Sequence, residues 1–324
     1  MQLTILHNST CQAAGAEASA HNLIGRLGPQ PVRGVLVSLV ALLATLAISG
    51  VAGAQEFEPR TYAVAPPGLN FVAVGYGFAT GAVFMDPSLP AEDVSADVHL
   101  VVMRYVRTLE LFGLPSKLKV VLPLSDGHWE GFLEDEFRTR DATGQGDARI
   151  VMETLFAGAG HEKKTTWGAR LQVVLPTGQY DNNRLINLGA NRWGAIPEVG
   201  FSYPAGKWSF EGALAAWIFG TNDDFLGVRL EQDPLLVAKF HAVRSIRPGF
   251  WWALASGYGY GGRTTVDGVQ RDTLQRNWRL AFMMAYPLRP NQGISISIGS
   301  GGNFGAGTDF DTFGVGYQYS WGGR

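Results

Sequence analysis

Beyond residue 68, apolar and polar positions alternate in segments of about ten residues. That is the period of a strand with two unlike faces and the length that crosses a bilayer at a tilt. The pattern predicts 12 strands, roughly at 69–79, 97–111, 116–124, 147–157, 165–175, 193–203, 208–219, 235–246, 249–259, 276–287, 293–299 and 312–321. In the fifth, Trp167, Ala169, Leu171, Val173 and Leu175 share one face, and Gly168, Arg170, Gln172 and Val174 the other. In the eleventh, Ile294, Ile296 and Ile298 alternate with Ser295 and Ser297. In the twelfth, Phe313, Val315, Tyr317, Tyr319 and Trp321 alternate with Gly314, Gly316, Gln318 and Ser320.

A soluble sandwich also alternates, but its outer face is polar. Connector lengths separate the two. Phe112–Pro115, Gly158–Lys164, Pro204–Lys207, Arg247-Pro248 and Leu288–Gln292 are short, whereas the connectors near 80–96, 125–146, 176–192, 220–234, 260–275 and 300–311 are long. Regular long-short alternation is expected of an outer-membrane barrel, with long loops outside and short turns in the periplasm. The predicted fold class is therefore all-β: a transmembrane antiparallel up-and-down β-barrel of about 12 strands, following a cleaved signal peptide.

The ends of the segments agree. Trp167, Trp193, Trp208, Trp252, Trp278 and Trp321 fall near strand ends, where amphipathic rings sit at the lipid-water boundary. Lys117, Lys163, Lys164, Lys207, Arg247 and Arg289 cluster at the short turns, and Asp126, Glu130, Glu134, Asp135, Glu136 and Asp141 lie in one long connector.

Composition narrows the class further. Charged residues are 17% of the chain, below the roughly 25% of soluble domains. The chain lacks the repeated runs of about 20 apolar residues that a helical membrane protein needs. The net charge of −2 gives no footprint for nucleic acid. Arg33, the apolar run Val35 to Ser49 and Ala52-Gly53-Ala54 read as a signal peptide cleaved before Gln55 rather than a membrane anchor. Cys11 lies before it, so no disulfide or thiol nucleophile is expected in the mature chain. The expected organisation is a leader and signal peptide at 1–54, a periplasmic or lumen-inserted segment at 55–68, and the barrel at 69–324. The 55–68 segment is too short for a folded plug domain.

Several motifs resemble one known family. Pro59-Arg60-Thr61-Tyr62, Ala65-Pro66-Pro67-Gly68-Leu69-Asn70-Phe71 and Gly75-Tyr76-Gly77 open the match. Asp86-Pro87-Ser88-Leu89-Pro90, Leu175-Pro176-Thr177-Gly178-Gln179-Tyr180 and Asn187 to Trp193 continue it. Asn222-Asp223-Asp224-Phe225, Gly262 to Gly268 and Asp309-Phe310-Asp311-Thr312 complete it. Together they are similar to the phenol meta-pathway (MetA-type) transporter family. The resemblance implies an outer-membrane barrel transporting aromatic or other apolar compounds. One departure is the carboxyl end: Gly322-Gly323-Arg324 follow Trp321, where barrel proteins usually finish on an aromatic.

Strand parity then selects the lumen face. It places Glu153, Arg170, Gln172, Glu198, Glu211, Lys239, His241, Asn277 and Arg279 inward, with Arg170, Glu198, Glu211, Lys239 and His241 in one row. Trp217, Phe219 and Trp251 share the inner face, a mixture better suited to an aromatic solute than to a sugar. The row reads either as a structural ion network or as a polar lining that selects solutes. The parity of the second segment is ambiguous, because Arg104 and Arg107 fall on opposite faces and a bulge would resolve them. No His/Cys set has metal-ligand spacing, and no cofactor is expected. His128 is placed in a long loop and His161 in a short turn, neither with a nearby serine and acid. The expected function is passive passage of small apolar or aromatic molecules. The alternatives are a closed structural or surface-interaction barrel and, less favoured, a lipid-modifying enzyme. Expected partners are outer-membrane lipid and lipopolysaccharide, the barrel-assembly machinery and a small apolar solute, but no nucleic acid.

Overall fold

The computed structural model describes residues 57–84, 91–133, 135–158, 165–303 and 307–323. The expected leader and signal peptide, and His161, lie outside the described residues. The first strands are β1 (Leu69–Phe84), β2 (Ala91–Leu111), β3 (Leu114–Leu133), β4 (Glu136–Gln145), β5 (Arg149–Ala157) and β6 (Thr166–Val174). Next come β7 (Gly194–Ala205), β8 (Trp208–Phe219), β9 (Asn222–Phe225), β10 (Val228–Gln232), β11 (Leu235–Arg247) and β12 (Phe250–Gly261). The chain ends with β13 (Thr264–Val266), β14 (Val269–Gln270), β15 (Gln275–Arg289), β16 (Gln292–Asn303) and β17 (Gly307–Gly322). Among the described residues there is no helix.

Each of the 12 predicted segments is a barrel strand: β1, β2, β3, β5, β6, β7, β8, β11, β12, β15, β16 and β17, every neighbouring pair antiparallel. The ring closes where β17 pairs with β1, from Leu69 opposite Gly322 to Phe84 opposite Gly307. Closure gives every barrel strand two partners, so no backbone edge is left to lipid. The outward positions are apolar and uncovered, among them Val74, Leu171, Leu214, Leu254, Leu280 and Ile296. In a soluble protein such a belt would be a liability; in a bilayer it is the surface that lipid covers. Rings pack along its lower margin, with Trp208 and Trp252 at 5.2 Å and Trp167 and Phe201 at 5.1 Å between centroids.

The short turns are tight. Phe112-Gly113, Gly206-Lys207, Pro248-Gly249 and Pro290-Asn291 each join two barrel strands through two residues. The long connectors differ from expectation, because three of them hold strands of their own and those near 80–96 and 300–311 include extensions of the barrel strands beside them. In the acidic connector, residues 126–133 are the upper part of β3 and 136–141 are most of β4. At Val121 the partner of β3 is β5, but from Leu124 upward it is β4. With 21 and 20 residues, β2 and β3 are about twice the length needed to span a bilayer, so β2, β3 and β4 rise above the rim as a three-stranded blade. Residues 220–234 and 260–275 supply a small sheet of order β14-β13-β10-β9. Its hairpins turn at Leu226-Gly227 and Asp267-Gly268, both pairs with positive φ, the conformation of a two-residue hairpin turn. The bulge considered for the second segment is absent there. β2 pairs without interruption from Ser95 to Leu111, so Arg104 points inward and Arg107 outward, where it bonds Asn70.

Candidate functional site in the barrel interior

Residues 57–62 lie against inward-facing side chains of the barrel wall. Glu58 is the centre of their attachment. Its carboxylate lies 2.8 Å from Lys119 Nζ, 3.1 Å from Arg104 Nη1 and 3.4 Å from Arg170 Nη2. Tyr62 is buried and donates its hydroxyl to Glu198 Oε1 at 2.7 Å. The Arg60 amide donates to Glu211, and Lys117 Nζ donates to the Thr61 carbonyl. The ring of Phe57 stands edge-on to His241.

Around this segment the wall supplies an ion network. Glu153, 2% exposed, faces Lys119 at 2.5 Å, Lys117 at 3.4 Å and Arg170 at 3.7 Å. Glu198 holds Lys239 at 2.6 Å, and Glu211 faces His241 Nδ1 at 3.3 Å and accepts from Ser202. Gln172 accepts from Arg170 Nη2. Register explains the convergence: Glu153 lies opposite Arg170, Arg170 opposite Glu198, and Glu211 opposite both Ser202 and His241. Carboxylates and cations therefore alternate around the inner wall, which limits the desolvation cost of each. The space left among Glu58, Tyr62, Arg170, Glu198, Glu211 and His241 is about the size of one water.

Seven of the nine expected lumen residues, Glu153, Arg170, Gln172, Glu198, Glu211, Lys239 and His241, thus meet in one cluster. Asn277 and Arg279 do not. They belong to β15, where Asn277 bonds Gln275 and the charge of Arg279 faces Asp309 and Asp311. Five members of the cluster were not picked out from the sequence: Glu58, Tyr62, Arg104, Lys117 and Lys119. Lys117 was read as a turn cation, although the outward Leu118, Val120 and Leu124 fix Lys117 and Lys119 as inward by parity. Glu58 and Tyr62 precede the first strand, where no periodicity exists to orient them.

Above the ions lies an apolar layer. Ile196, Ala215, Leu235 and Val237 are buried together, with Val174, Trp217 and Phe219 packed on them. Trp251 is not part of it. It sits at the opposite end of the barrel, across from Ser245 and Ala285.

The comparisons with known proteins fit this architecture. Residues 86–319 match the family model described as "Putative MetA-pathway of phenol degradation". The chain belongs to this family. Among solved structures, an outer membrane channel from Pseudomonas putida F1 is similar at 20% identity, with 82% of this chain and 100% of that one covered and a TM-score of 0.72. The transport unit of the autotransporter AIDA-I from Escherichia coli is a more distant likeness, at 8% identity, 87% and 97% coverage and a TM-score of 0.49. Among curated protein sequences none matches. The first likeness supports the closed outer-membrane barrel.

In this MetA-type barrel the apolar layer is roofed by Arg192, from the connector between β6 and β7. Its guanidinium lies over the Phe219 ring, 4.8 Å from the centroid, and Nη2 donates to Gln232 Oε1. Gln232 in turn donates to the Gly262 carbonyl, tying the roof to the end of β12. Burial lowers the Arg192 pKa to about 10, only partly offset by the charge of Asp147.

The opposite wall is built of small residues. Parity directs Ala73, Gly75, Gly77 and Ala79 of β1 inward, with Gly314 and Gly316 of β17 and Ser295, Ser297 and Gly299 of β16. A Cβ placed on Gly75 or Gly77 would meet no atom closer than 3.6 Å.

Proposed function

We propose that this barrel passes small apolar and aromatic molecules across the outer membrane, along the small-residue wall rather than through the ion-filled half. The observation that carries the reading is the division of the lumen. The segment 57–62 and its ions fill the side formed by β3, β5, β6, β7, β8 and β11, whereas glycine, alanine and serine leave room along β16, β17 and β1. The apolar layer with Trp217 and Phe219 offers a ring somewhere to rest that a sugar could not use. The Pseudomonas putida relative is itself described as an outer membrane channel, which adds weight. We read the ionic row as a structural filler, because its charges are spent on one another. The chain is read as non-catalytic because the Pseudomonas putida relative is described as a channel and, among the described residues, no serine hydroxyl is bonded to the ring of His241 or His128, each of which meets a carboxylate instead.

The test is entry of labelled phenol into vesicles whose outer leaflet is lipopolysaccharide, with and without purified protein. Entry should rise with protein and remain unchanged for a disaccharide of similar length. A barrel that speeds neither solute would instead support the closed interaction barrel, for which the projecting blade is the specific observation.

A further inference from the structure

Among the described residues, Arg192 is a cation without a carboxylate within salt-bridge distance. Its Nη1 is shielded from solvent and has no hydrogen-bond partner among the described residues. Nη2 is given to an amide, the neutral Gln232. The carboxylate whose charge acts on it, Asp147, is already committed: Oδ1 accepts from the Gly178 amide at 2.9 Å and Oδ2 from the Ala190 amide at 2.8 Å. Asp147 therefore shapes the connector backbone and does not saturate the guanidinium. An unsatisfied, shielded N–H on a charged group is costly, and a ligand that supplies the missing acceptor recovers the cost. Below the guanidinium lie Phe219 and Trp217, with ring centroids 6.3 Å apart, and the buried Leu235 and Val237.

We infer that Arg192 selects the head group of the solute, and that the preferred class is a small aromatic carboxylate. The carboxylate takes Nη1 and displaces Gln232 from Nη2, since the planar guanidinium fork matches a carboxylate in two parallel hydrogen bonds. The aromatic ring then replaces part of the contact between the guanidinium and Phe219 and rests against Trp217. A cationic solute is rejected by the same group, and a neutral aromatic binds without the fork. The connector Asn187 to Trp193 acts in this view as the outer selector, above the ions on the β7–β8 side, before the solute passes down the small-residue wall. The inference rests on the proposed passage of aromatic molecules and adds a preference for charge to it.

Benzoate and benzamide have nearly the same shape and differ in charge, so they separate the two ideas. Binding of each to the purified, folded barrel in detergent is measured by calorimetry, with benzylamine as the cationic control. Benzoate should bind at least about tenfold more tightly than benzamide, the scale of one charge-assisted bond, and benzylamine most weakly. Arg192→Gln should bring benzoate to the level of benzamide and leave benzamide unchanged. Arg192→Lys, which keeps the charge without the fork, should retain part of the preference and guards against a folding defect in the first variant. Equal affinities for benzoate and benzamide in the unaltered protein, or a preference that survives Arg192→Gln, overturns the inference while leaving aromatic passage standing. Absence of binding by every aromatic probe, together with absence of phenol entry, brings down both.

Discussion

The two halves of the barrel wall use glycine for opposite purposes. On the filled side, a Cβ on Gly200 would lie 2.4–2.6 Å from the Tyr62 ring, and one on Gly168 2.8 Å from it. Glycine is needed there because a ring from the N-terminal segment occupies the space. On the open side, Gly75 and Gly77 would meet only backbone oxygens and Leu100 at 3.6–4.0 Å, an ordinary contact. At these positions the same residue type makes a socket for Tyr62 in one half and a clearance beside Leu100 in the other, while Gly314 and Gly316 stand against the hydroxyls of Ser297 and Ser295, 2.6 and 2.7 Å from where a Cβ would lie. What distinguishes Gly200 and Gly168 from Gly75 and Gly77 is that the Tyr62 ring lies against the first two.

The comparison implies unequal responses to substitution, and the largest belongs to the ions. Glu153→Gln leaves Lys119, Lys117 and Arg170 short of a buried counter-charge and should cost about 3–5 kcal/mol, read as a fall in the heat-modification midpoint on gels. A loss below about 1 kcal/mol would indicate a wet, well-solvated interior instead.

Next comes the contrast between lipid and lumen. Leu171→Arg, on the lipid face, should cost about 2–4 kcal/mol near the bilayer midplane. Ser297→Arg, into the open half, should cost much less. Gln172→Arg should not be mild although it also faces inward, because it removes the acceptor of Arg170 and adds a cation beside it. Refolding yields into lipid across the three variants check the order. Equal penalties for Ser297→Arg and Gln172→Arg would erase the distinction between the halves.

These expectations also mark how far the sequence could be read. Alternation and connector length were enough for the 12 strands, because each barrel strand has one face in lipid and one in the lumen. The same parity located Glu153, Arg170, Glu198, Glu211, Lys239 and His241, since their neighbours in register carry complementary charge. Four parts were hidden for physical reasons. Glu58 and Tyr62 sit on a segment without period, held only by contacts from distant strands. The blade of β2, β3 and β4 carries polar side chains on its outer face, such as His128 and Asp126, because it stands in water, so its alternation vanishes. The Asp267-Gly268 hairpin was legible as a turn signal but lay inside a connector read as a loop. The gathering of Arg192, Gln232 and Phe219 comes from three separate connectors and strand ends and has no local signature.

Smaller effects test the glycine contrast itself. Gly200→Ala should overpack the socket by about 1–3 kcal/mol and displace Tyr62, visible as faster proteolysis of the N-terminal segment. Gly75→Ala should be neutral within about 0.5 kcal/mol. Tyr62→Phe removes one hydrogen bond to a charged acceptor and should cost about 1.5–3 kcal/mol if the socket is dry. Matching proteolysis for Gly200→Ala and Gly75→Ala would show that Tyr62 does not depend on its socket.

The central claim, that solutes move along the small-residue wall, is tested most directly by phenol entry into lipopolysaccharide-coated vesicles carrying Gly75→Trp. The bulky ring should reduce entry about tenfold or more while the heat-modification midpoint stays near that of the unaltered barrel. Tyr62→Ala in parallel should lower stability and leave entry largely unchanged. Undiminished entry through Gly75→Trp, with a rise in Tyr62→Ala, would contradict the account and route the solute through the filled half.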